Sequence, residues 1–289
     1  MANDKTRVVE LSEIELNRRV FRIRQQRKST LLAVISTLVF AGVVLAGLIF
    51  SPGWDRVQSS FFNFDTALKA WPTILTGLLL NLRVLFFASV GVLFFGLVLA
   101  LLRTLKAPIF TPIRLLVHGY VDLFRGIPLI IVLYLVGFGI PGLRLPWLGR
   151  VPAEVLGTAA LILTYSAYVA EVFRAGIEAV HPSQRLAARS LGLTYAQTMR
   201  HVVLPQALRK VAPPLMNDFV SLQKDVGLIS VLGAVDAVRA AQIQVATFAN
   251  FTPYVVAGVL FVLLAIPTVR LTDWFSARLA KREQAGALL

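Results

Sequence analysis

Residues 181–214 read HPSQRLAARSLGLTYAQTMRHVVLPQALRKVAPP, the longest polar and basic interruption in an otherwise apolar chain. Their pattern predicts two short helices, at 184–191 and 195–204. Ser183 predicts the start of the first helix, because a serine side chain accepts a hydrogen bond from a free amide at a helix N-terminus. Gly192 predicts its end, because glycine adopts the left-handed backbone of a C-terminal cap at little cost.

The second helix carries its own start and stop signals. Thr194 and Gln197 form the Thr-x-x-Gln pattern of a capping box, in which each side chain bonds the backbone amide of the other residue. Pro205 predicts the end of this helix, because proline lacks the backbone N–H and clashes with the preceding turn. Two rigid helices joined by a glycine turn are typical of a docking surface. A well-capped loop without any partner explains these local signals equally well, because capping boxes are common.

The rest of the composition is that of a membrane protein. The chain has 289 residues, of which 57% are hydrophobic and 15% are charged. Its apolar residues come in runs of roughly 20, the length that a helix needs to cross a bilayer. The predicted fold class is therefore all-α, a polytopic helical membrane protein with about six transmembrane helices.

The predicted organisation follows these apolar runs in order. It comprises a basic N-terminal tail at 1–30, an N-terminal transmembrane helix at 31–50, a transmembrane domain at 73–275 and a C-terminal tail at 276–289. Within the larger domain we expect spans at about 73–102, 112–139, 153–175, 211–232 and 253–271. We expect outer loops at 51–72, at 140–152 and just before the last span. The N-terminal tail fits either an amphipathic surface helix or a solvated topological anchor.

The charge distribution orients the chain. A formal net charge of +14 would indicate a nucleic-acid partner in a soluble protein. In a membrane protein it follows from the positive-inside rule, and no nucleic-acid partner is expected. Lysine and arginine cluster in both tails, at 103–114 and at 181–210. These segments are expected to face the cytoplasm and the anionic membrane lipid.

Several classes of chemistry lack their residues. The chain has no cysteine, three isolated histidines and no Gly-x-x-x-x-Gly-Lys-Ser/Thr motif. A zinc site, a thiol nucleophile and ATP binding through a P-loop are therefore not expected. No Ser-His-Asp spacing or paired-carboxylate motif recommends an intramembrane enzyme either. We expect a non-catalytic chain that binds no cofactor.

Polar residues at membrane depth are costly and usually face a bundle interior or water. Thr164, Tyr168 and Glu171 are spaced to share one helical face. A zwitterionic solute needs several hydrogen bonds and a charge complement to leave water. The residues expected to form a substrate path are Tyr165, Tyr168, Glu171, Asn217 and Ser221.

The remaining intramembrane charges are expected to form a framework that holds the bundle together. They are Arg125, Lys224 and Asp225. Lys224 and Asp225 are sequence neighbours and point in different directions, so each needs a partner elsewhere. Arg125 and Glu171 are the expected partners. Buried charges demand such partners whatever the function.

The stretch at 181–210 resembles the cytoplasmic coupling loop of permease subunits of binding-protein-dependent ABC importers. That family's pattern is Glu-Ala-Ala, three residues, Gly, nine residues, then Ile-x-Leu-Pro. The residues at those offsets in this chain are Leu186, Ala187, Ala188, Gly192, Val202, Leu204 and Pro205. Leu186 replaces the acidic residue of the motif, so a salt bridge from that acid to a partner is missing.

Further motifs resemble the polar amino-acid branch of that family, of the histidine, glutamine and arginine permease type. They are Gln206-Ala207-Leu208-Arg209, Pro213-Pro214-Leu215, Leu123-Phe124-Arg125-Gly126-Ile127-Pro128, Ala167-Tyr168-x-x-Glu171-x-Phe173-Arg174-x-Gly176 and Ser221-Leu222-x-Lys224-Asp225. The likeness extends from about residue 76 to about residue 278.

The resemblance implies a permease subunit that imports a polar or charged amino acid across the bacterial cytoplasmic membrane. It implies two ATP-binding subunits that hold ATP and Mg, a second permease that is identical or different, and an extracytoplasmic solute-binding protein. The alternative is a self-sufficient secondary transporter or channel for a polar solute. That alternative needs intramembrane charges but no capped cytoplasmic platform.

Overall fold

The computed structural model describes residues 13–105, 107–146 and 151–286, and within these ranges it contains helices and no strand. The outermost parts of both predicted tails lie outside the described residues. The α-helices are α1 (Glu13–Ile49), α2 (Trp54–Phe61), α3 (Phe64–Thr104), α4 (Thr111–Gly126), α5 (Leu129–Tyr134), α6 (Ile140–Gly142), α7 (Ala153–Glu178), α8 (Pro182–Ser190), α9 (Tyr195–Thr198), α10 (Leu204–Asp225), α11 (Ala237–Phe248) and α12 (Thr252–Gly286).

The chain divides into two compact units, residues 1–59 and residues 60–289. In the first unit, α1 runs without a break through nearly all of the predicted span at 31–50. The side chains at 31–50 are all exposed, although nearly all of them are apolar. An apolar helix exposed on every side fits a lipid environment, and its segment Arg24–Ile49 is long enough to cross a bilayer.

The second unit is built on the packing of α3 against α7. A Cβ atom added to Gly96 of α3 would lie 2.6 Å from Val169 Cγ1 of α7, and one added to Gly91 would overlap Ile162. Small residues let helix backbones approach closely, which is a main source of attraction between helices in lipid. The largest buried cluster includes Val84 of α3 and Leu161 of α7 together with Leu133 of α5 and Ile229. It therefore packs α3 and α7 against α5 and the segment that follows α10.

The predicted span at 112–139 is not one straight helix, because the chain bends sharply in its middle. The helical segments Pro108–Gly126 and Leu129–Gly142 meet at 107°. Ile127 has extended backbone angles, φ −90° and ψ 132°. This conformation is the one that proline imposes on the preceding residue, and Pro128 follows. The bend leaves Arg125 and its neighbours at a corner rather than along a helix side.

The expectation that Pro205 ends the second loop helix is also wrong. A π-helical turn, Met199–Val203, follows α9, and α10 begins directly after it with Pro205 in its first turn. The first turn of a helix tolerates proline, because the N–H that proline lacks has no partner within the helix there. The second half of the loop is therefore continuous with the membrane helix α10.

Two of the segments expected as outer loops, at 51–72 and just before the last span, are largely helical. Residues 54–61 form α2, and α3 begins at Phe64 instead of about residue 73. Asn63 caps α3 by accepting a hydrogen bond from Thr66 N at 2.9 Å. Asp236 caps α11 in the same way, with Arg239 N at 2.8 Å. The side chains of Asn63 and Asp236 thus cap the N-termini of helices in segments whose composition had predicted loops.

The number of spans agrees with the predicted fold class. Four helices of the described chain are long and apolar enough to cross a membrane, and six spans result if each of two bent pairs counts as one. The second bent pair joins Tyr195–Leu232 to Ala237–Phe248 at 52°.

Candidate functional site

The loop at 181–210 begins with a cap that the sequence pattern assigned to the wrong residue. His181, not Ser183, is the N-cap of α8, and its Nδ1 accepts a hydrogen bond from Ser183 N at 3.3 Å. Pro182 occupies the first helical position, which needs no N–H donor. Ser183 therefore lies inside the first turn, where its hydroxyl contacts the His181 ring at 2.7 Å.

The turn between the two loop helices is built as predicted. Gly192 has φ +81°, the left-handed region. Its N–H donates to Arg189 O at 3.0 Å, and Leu193 N–H donates to Ala188 O at 3.2 Å. These two bonds form a Schellman motif, which satisfies the last carbonyls of α8. The predicted capping box of α9 is also confirmed, with both reciprocal bonds between Thr194 and Gln197 present.

The loop is bonded to the C-terminal end of α7. Lys210 Nζ donates to Ala179 O at 3.0 Å, and the Arg185 guanidinium donates to Ile177 O. A small buried cluster of Ile177, Val180, Val203 and Ala207 fills the space between them. Charged hydrogen bonds and apolar packing together hold the loop against the end of α7.

The outer face of the loop is exposed and partly apolar. Leu186 is 68% exposed and Leu191 is 82% exposed. Ala187 is exposed, whereas Ala188 is only 4% exposed and packs inside the chain. Of the two alanines of the motif, only Ala187 is therefore open to a partner. Of the other motif residues, Val202 and Leu204 are half-buried and Pro205 is exposed.

A polar cavity of about 430 Å³ lies where the α4–α5 bend meets α7 and α10. The bend contributes Arg125 and residues 126–129, α7 contributes Thr164, Tyr165 and Tyr168, and α10 contributes Asp218, Ser221 and Asp225. The backbone break before Pro128 thus forms one wall. Tyr165, Tyr168 and Ser221, three of the residues expected along a substrate path, meet here.

The charged groups of this cavity are held on different walls. The Tyr165 hydroxyl donates to Asp225 Oδ2 at 2.7 Å. The Arg125 guanidinium carbon lies 5.8 Å from the centre of the Tyr168 ring, within reach of a cation–π interaction. The Tyr168 hydroxyl also donates to Arg125 O at 3.4 Å. The two tyrosines therefore contact one carboxylate, that of Asp225, and one guanidinium group, that of Arg125, and both of these groups line the cavity.

Two buried polar atoms of the cavity lack a partner in the described part of the chain. They are Thr164 Oγ1 and Asp218 Oδ2. Buried polar atoms are nearly always hydrogen-bonded in folded proteins, and exceptions call for an explanation. Both residues line the cavity.

The other expected site residues lie elsewhere. Glu171 does not line the cavity. Its carboxylate lies 2.8 Å from Arg103 Nη1 and 4.0 Å from Arg125 Nη1, and it also pairs with Arg174. Asn217 is exposed and likewise does not line the cavity.

The expected pairing of the two α10 charges is corrected. Asp225 is bonded to Tyr165 and not to Arg125. Lys224 is exposed and has no ion pair with any described residue. A pattern of neighbours along one helix does not reveal which groups face another helix, and the tyrosine hydroxyl was nearer than either expected partner.

One buried polar cluster escaped the sequence reasoning. Asn81 and Asp236 are both 0% exposed. Asn81 Nδ2 donates to Asp236 Oδ2 at 2.9 Å, and Ala237 N donates to Asn81 Oδ1 at 2.9 Å. The sequence does show one polar residue, Asn81 or Asp236, inside each of two apolar runs. It does not show that these two residues contact each other, because that depends on the fold. Among the described residues, no group of His, Asp and Glu side chains is arranged to hold a metal ion.

Comparisons with known proteins place these features in a family context. The family described as "Binding-protein-dependent transport system inner membrane component" matches residues 93–281, more than half of the chain. The arginine transport system permease protein ArtQ of Bacillus subtilis (strain 168) is 33% identical over 205 residues, covering 71% of this chain and 91% of that protein. The glutamate/aspartate import permease protein GltK of Escherichia coli O6:H1 is 31% identical, covering 68% and 92%.

Solved structures show the same likeness. The crystal structure of an amino acid ABC transporter with histidines matches with a TM-score of 0.69 and 34% identity, covering 75% of this chain and 98% of that one. An inward-facing MetNI methionine ABC transporter matches with a TM-score of 0.57 at 19% identity, a likeness of fold alone.

Proposed function

The chain belongs to the family of binding-protein-dependent transport system inner membrane components, and on that premise we propose that it forms the membrane path for a polar amino acid in an ATP-driven importer. It is a multi-pass permease subunit of the bacterial inner membrane. The substrate, the residues that contact it and the route of coupling are the parts of this account that we propose.

The observation that carries the proposal is that groups of opposite charge line different walls of the cavity. Arg125 lines one wall, and Asp218 and Asp225 line another. An amino acid presents a carboxylate and an ammonium group on one carbon, and both need charged hydrogen-bond partners when they leave water. The Arg125 guanidinium suits the carboxylate. The acceptor Asp218 Oδ2, which has no partner in the described chain, suits the ammonium group.

The charge balance of the cavity favours a cationic side chain on the substrate. Two carboxylates and one guanidinium line it, a formal excess of one negative charge. A zwitterion with a cationic side chain neutralises that excess, whereas an acidic amino acid increases it. The relatives include an arginine permease and a glutamate/aspartate permease. A cationic and an acidic substrate are therefore both alternatives to test for this chain.

The capped loop is proposed to dock on an ATP-hydrolysing partner. Its support is the exposed apolar face formed by Leu186 and Leu191 beside Ala187, mounted on a loop tied to α7 and continuous with α10. In this account ATP and Mg are bound by the partner, and this chain is not itself an enzyme. Without an acid at Leu186, docking relies on shape and apolar contact.

The exposed stripe on α10 is proposed to face a second permease subunit. Asn217, Ser221 and Lys224 recur three or four residues apart, so they share one helix face, and all three are exposed. Exposed polar groups at membrane depth are costly unless protein or water covers them. The full assembly is proposed to contain a second permease, two ATP-binding subunits and an extracytoplasmic solute-binding protein.

The experiment is solute-stimulated ATP hydrolysis by the complex purified from its native membrane and reconstituted in proteoliposomes with its binding protein. Arginine, glutamine and glutamate are compared. We expect stimulation to fall in that order. Equal or greater stimulation by glutamate would contradict the charge assignment, and absence of stimulation by any amino acid would contradict the proposed function.

A further inference from the structure

A second and larger polar cavity lies beside the cytoplasmic loop. It has a volume of about 690 Å³ and is enclosed by the C-terminal ends of α3 and α7, the first turns of α4, and the loop helices. It shares no lining residue with the polar cavity described above. Its basic lining residues are Arg103, Arg114, His118, Arg174, Arg185 and Arg189.

Intramolecular ion pairs leave much of this positive charge uncompensated. Glu171 pairs with Arg103, and both Glu171 and Glu178 pair with Arg174. No carboxylate of the described chain pairs with the other three lining arginines, Arg114, Arg185 and Arg189. Glu178 is the one acidic residue of the lining that the structure describes, so positive charge is in excess. A concave site with an excess of one charge sign raises the local concentration of counter-ions, so an anion is the expected occupant.

Buried donors without partners point to the same kind of ligand. The Arg103 side chain is only 8% exposed, yet its Nε has no hydrogen-bond partner in the described chain. Arg185 Nε and Thr198 Oγ1 are likewise buried and unpartnered, and Thr198 is 4% exposed. All three residues line the cavity. Because such groups are costly when unsatisfied, a ligand whose acceptor oxygens reached them would stabilise this region.

We propose that this cavity binds the phosphate group of an anionic ligand at the cytoplasmic surface of the membrane. A phosphate offers several oxygens to guanidinium groups, which bind it through paired hydrogen bonds. The ligand is either the headgroup of an anionic phospholipid or free phosphate.

Apolar surroundings favour the lipid as the source of the phosphate. Arg114 is followed along α4 by Leu115 and Leu116, which are 67% and 74% exposed, and Ile109 just before α4 is 80% exposed. Basic pockets at the cytoplasmic side of membrane helices bind acidic headgroups while acyl chains lie along apolar side chains. Occupation by a lipid would brace the loop against α3, α4 and α7.

The test measures ligand binding to the purified complex after delipidation in a neutral detergent. Its arms are phosphatidylglycerol, phosphatidylcholine and inorganic phosphate, with binding followed by native mass spectrometry and by the shift in thermal unfolding. We expect phosphatidylglycerol to bind more tightly than phosphatidylcholine. If inorganic phosphate binds to the same residues and phosphatidylglycerol adds nothing, free phosphate is the ligand.

Two variants and a control report on the site itself. Arg114→Gln should weaken binding roughly tenfold, because it removes a charged hydrogen-bond donor. Thr198→Val has the same shape and removes a buried hydroxyl that no described protein group satisfies. A merely structural Thr198 would therefore leave binding unchanged, whereas a ligand-contacting hydroxyl would lower it. Arg209→Gln, an exposed residue outside the cavity, makes the same charge change as Arg114→Gln and should have no effect.

The proposal is overturned if both Arg114→Gln and Thr198→Val bind phosphatidylglycerol and phosphate as the parent complex does. If ligand binding is unchanged and these variants also lose the ATP-hydrolysing subunit on purification, the residues serve the contact with that subunit. In that case the cavity receives an acidic side chain of the partner protein.

Discussion

The Tyr165 hydroxyl lies 2.7 Å from Asp225 Oδ2 and joins the fourth predicted span to the fifth at the wall of the polar cavity. Tyr165 is 7% exposed and packs in the main buried cluster, so its ring is fixed and its hydroxyl is aimed at the carboxylate. The ring of a neighbouring tyrosine, Tyr168, has its centre 5.8 Å from the guanidinium carbon of Arg125. Together, the two tyrosines contact the Asp225 carboxylate and the Arg125 guanidinium group, which line the same cavity.

Tyr165→Phe removes the donor to Asp225 and leaves the rest of the ring in place. We expect a cost of about 1 to 3 kcal/mol, because the bond is to a charged, partly buried group. This cost should appear as a higher substrate concentration for half-maximal ATP hydrolysis in the reconstituted complex. Tyr254→Phe is the matched control, since Tyr254 does not line the cavity. If both variants behave alike, the Tyr165 hydroxyl has no role in substrate handling.

Gly192→Val tests the turn between the loop helices. The residue has φ +81°, and no atom lies within 4 Å of a Cβ added to it, so the substitution acts on the backbone alone. A left-handed conformation costs a non-glycine residue roughly 1 to 2 kcal/mol. We expect the variant to lose solute-stimulated ATP hydrolysis while the binding protein still delivers solute.

Gly119→Val is the control for this substitution. Gly119 lies in α4, also has no atom within reach of an added Cβ, and has no positive φ. Equal effects of the two variants on ATP hydrolysis would show that the turn geometry at Gly192 does not matter for coupling.

Ala187→Asp and Ala188→Asp separate docking from folding. Ala187 is exposed, so a carboxylate there should leave the chain folded and weaken recovery of the ATP-hydrolysing subunit in a pull-down assay. Ala188 is buried, so the same change there should destabilise the loop itself, because it buries an unpaired charge. Normal recovery with Ala187→Asp would place the docking surface elsewhere.

Asn81→Ala tests the buried cluster that links α3 to the start of α11. It leaves Asp236 and Ala237 N–H each without one buried partner. We expect a loss of about 2 to 3 kcal/mol in the free energy of unfolding, measured by thermal unfolding in detergent. Thr76→Ala, on the same helix but exposed, should be close to neutral. An equal effect of both variants would mean that the buried bonds contribute little.

The parts of the fold that depend on a few neighbouring residues were predictable from the sequence. Gly192 had to end α8, because a left-handed residue is needed at that point, and Thr194 with Gln197 defined the start of α9 without reference to any other segment. The motifs that resemble the permease family were equally local. They identified the family before the fold was known.

The parts that failed depend on three-dimensional contacts or on local alternatives to a regular helix. Pro205 did not end the helix, because it lies in the first turn of α10, where the N–H that proline lacks has no partner within the helix. Asp225 found Tyr165 on another helix, and Asn81 found Asp236, which lies 155 positions further along the chain. Helical spacing shows which residues share a face, but it does not show which face of another helix lies opposite.

We expect this chain to transport an amino acid only when ATP hydrolysis drives it through the capped loop. The most direct measurement is uptake of radiolabelled arginine by proteoliposomes that contain the purified complex and its binding protein. Uptake is compared with ATP on the side of the loop, with an ion gradient alone, and with ATP and the Gly192→Val variant. Uptake is expected under the first condition only. Uptake driven by an ion gradient without ATP would contradict ATP-driven transport by this chain.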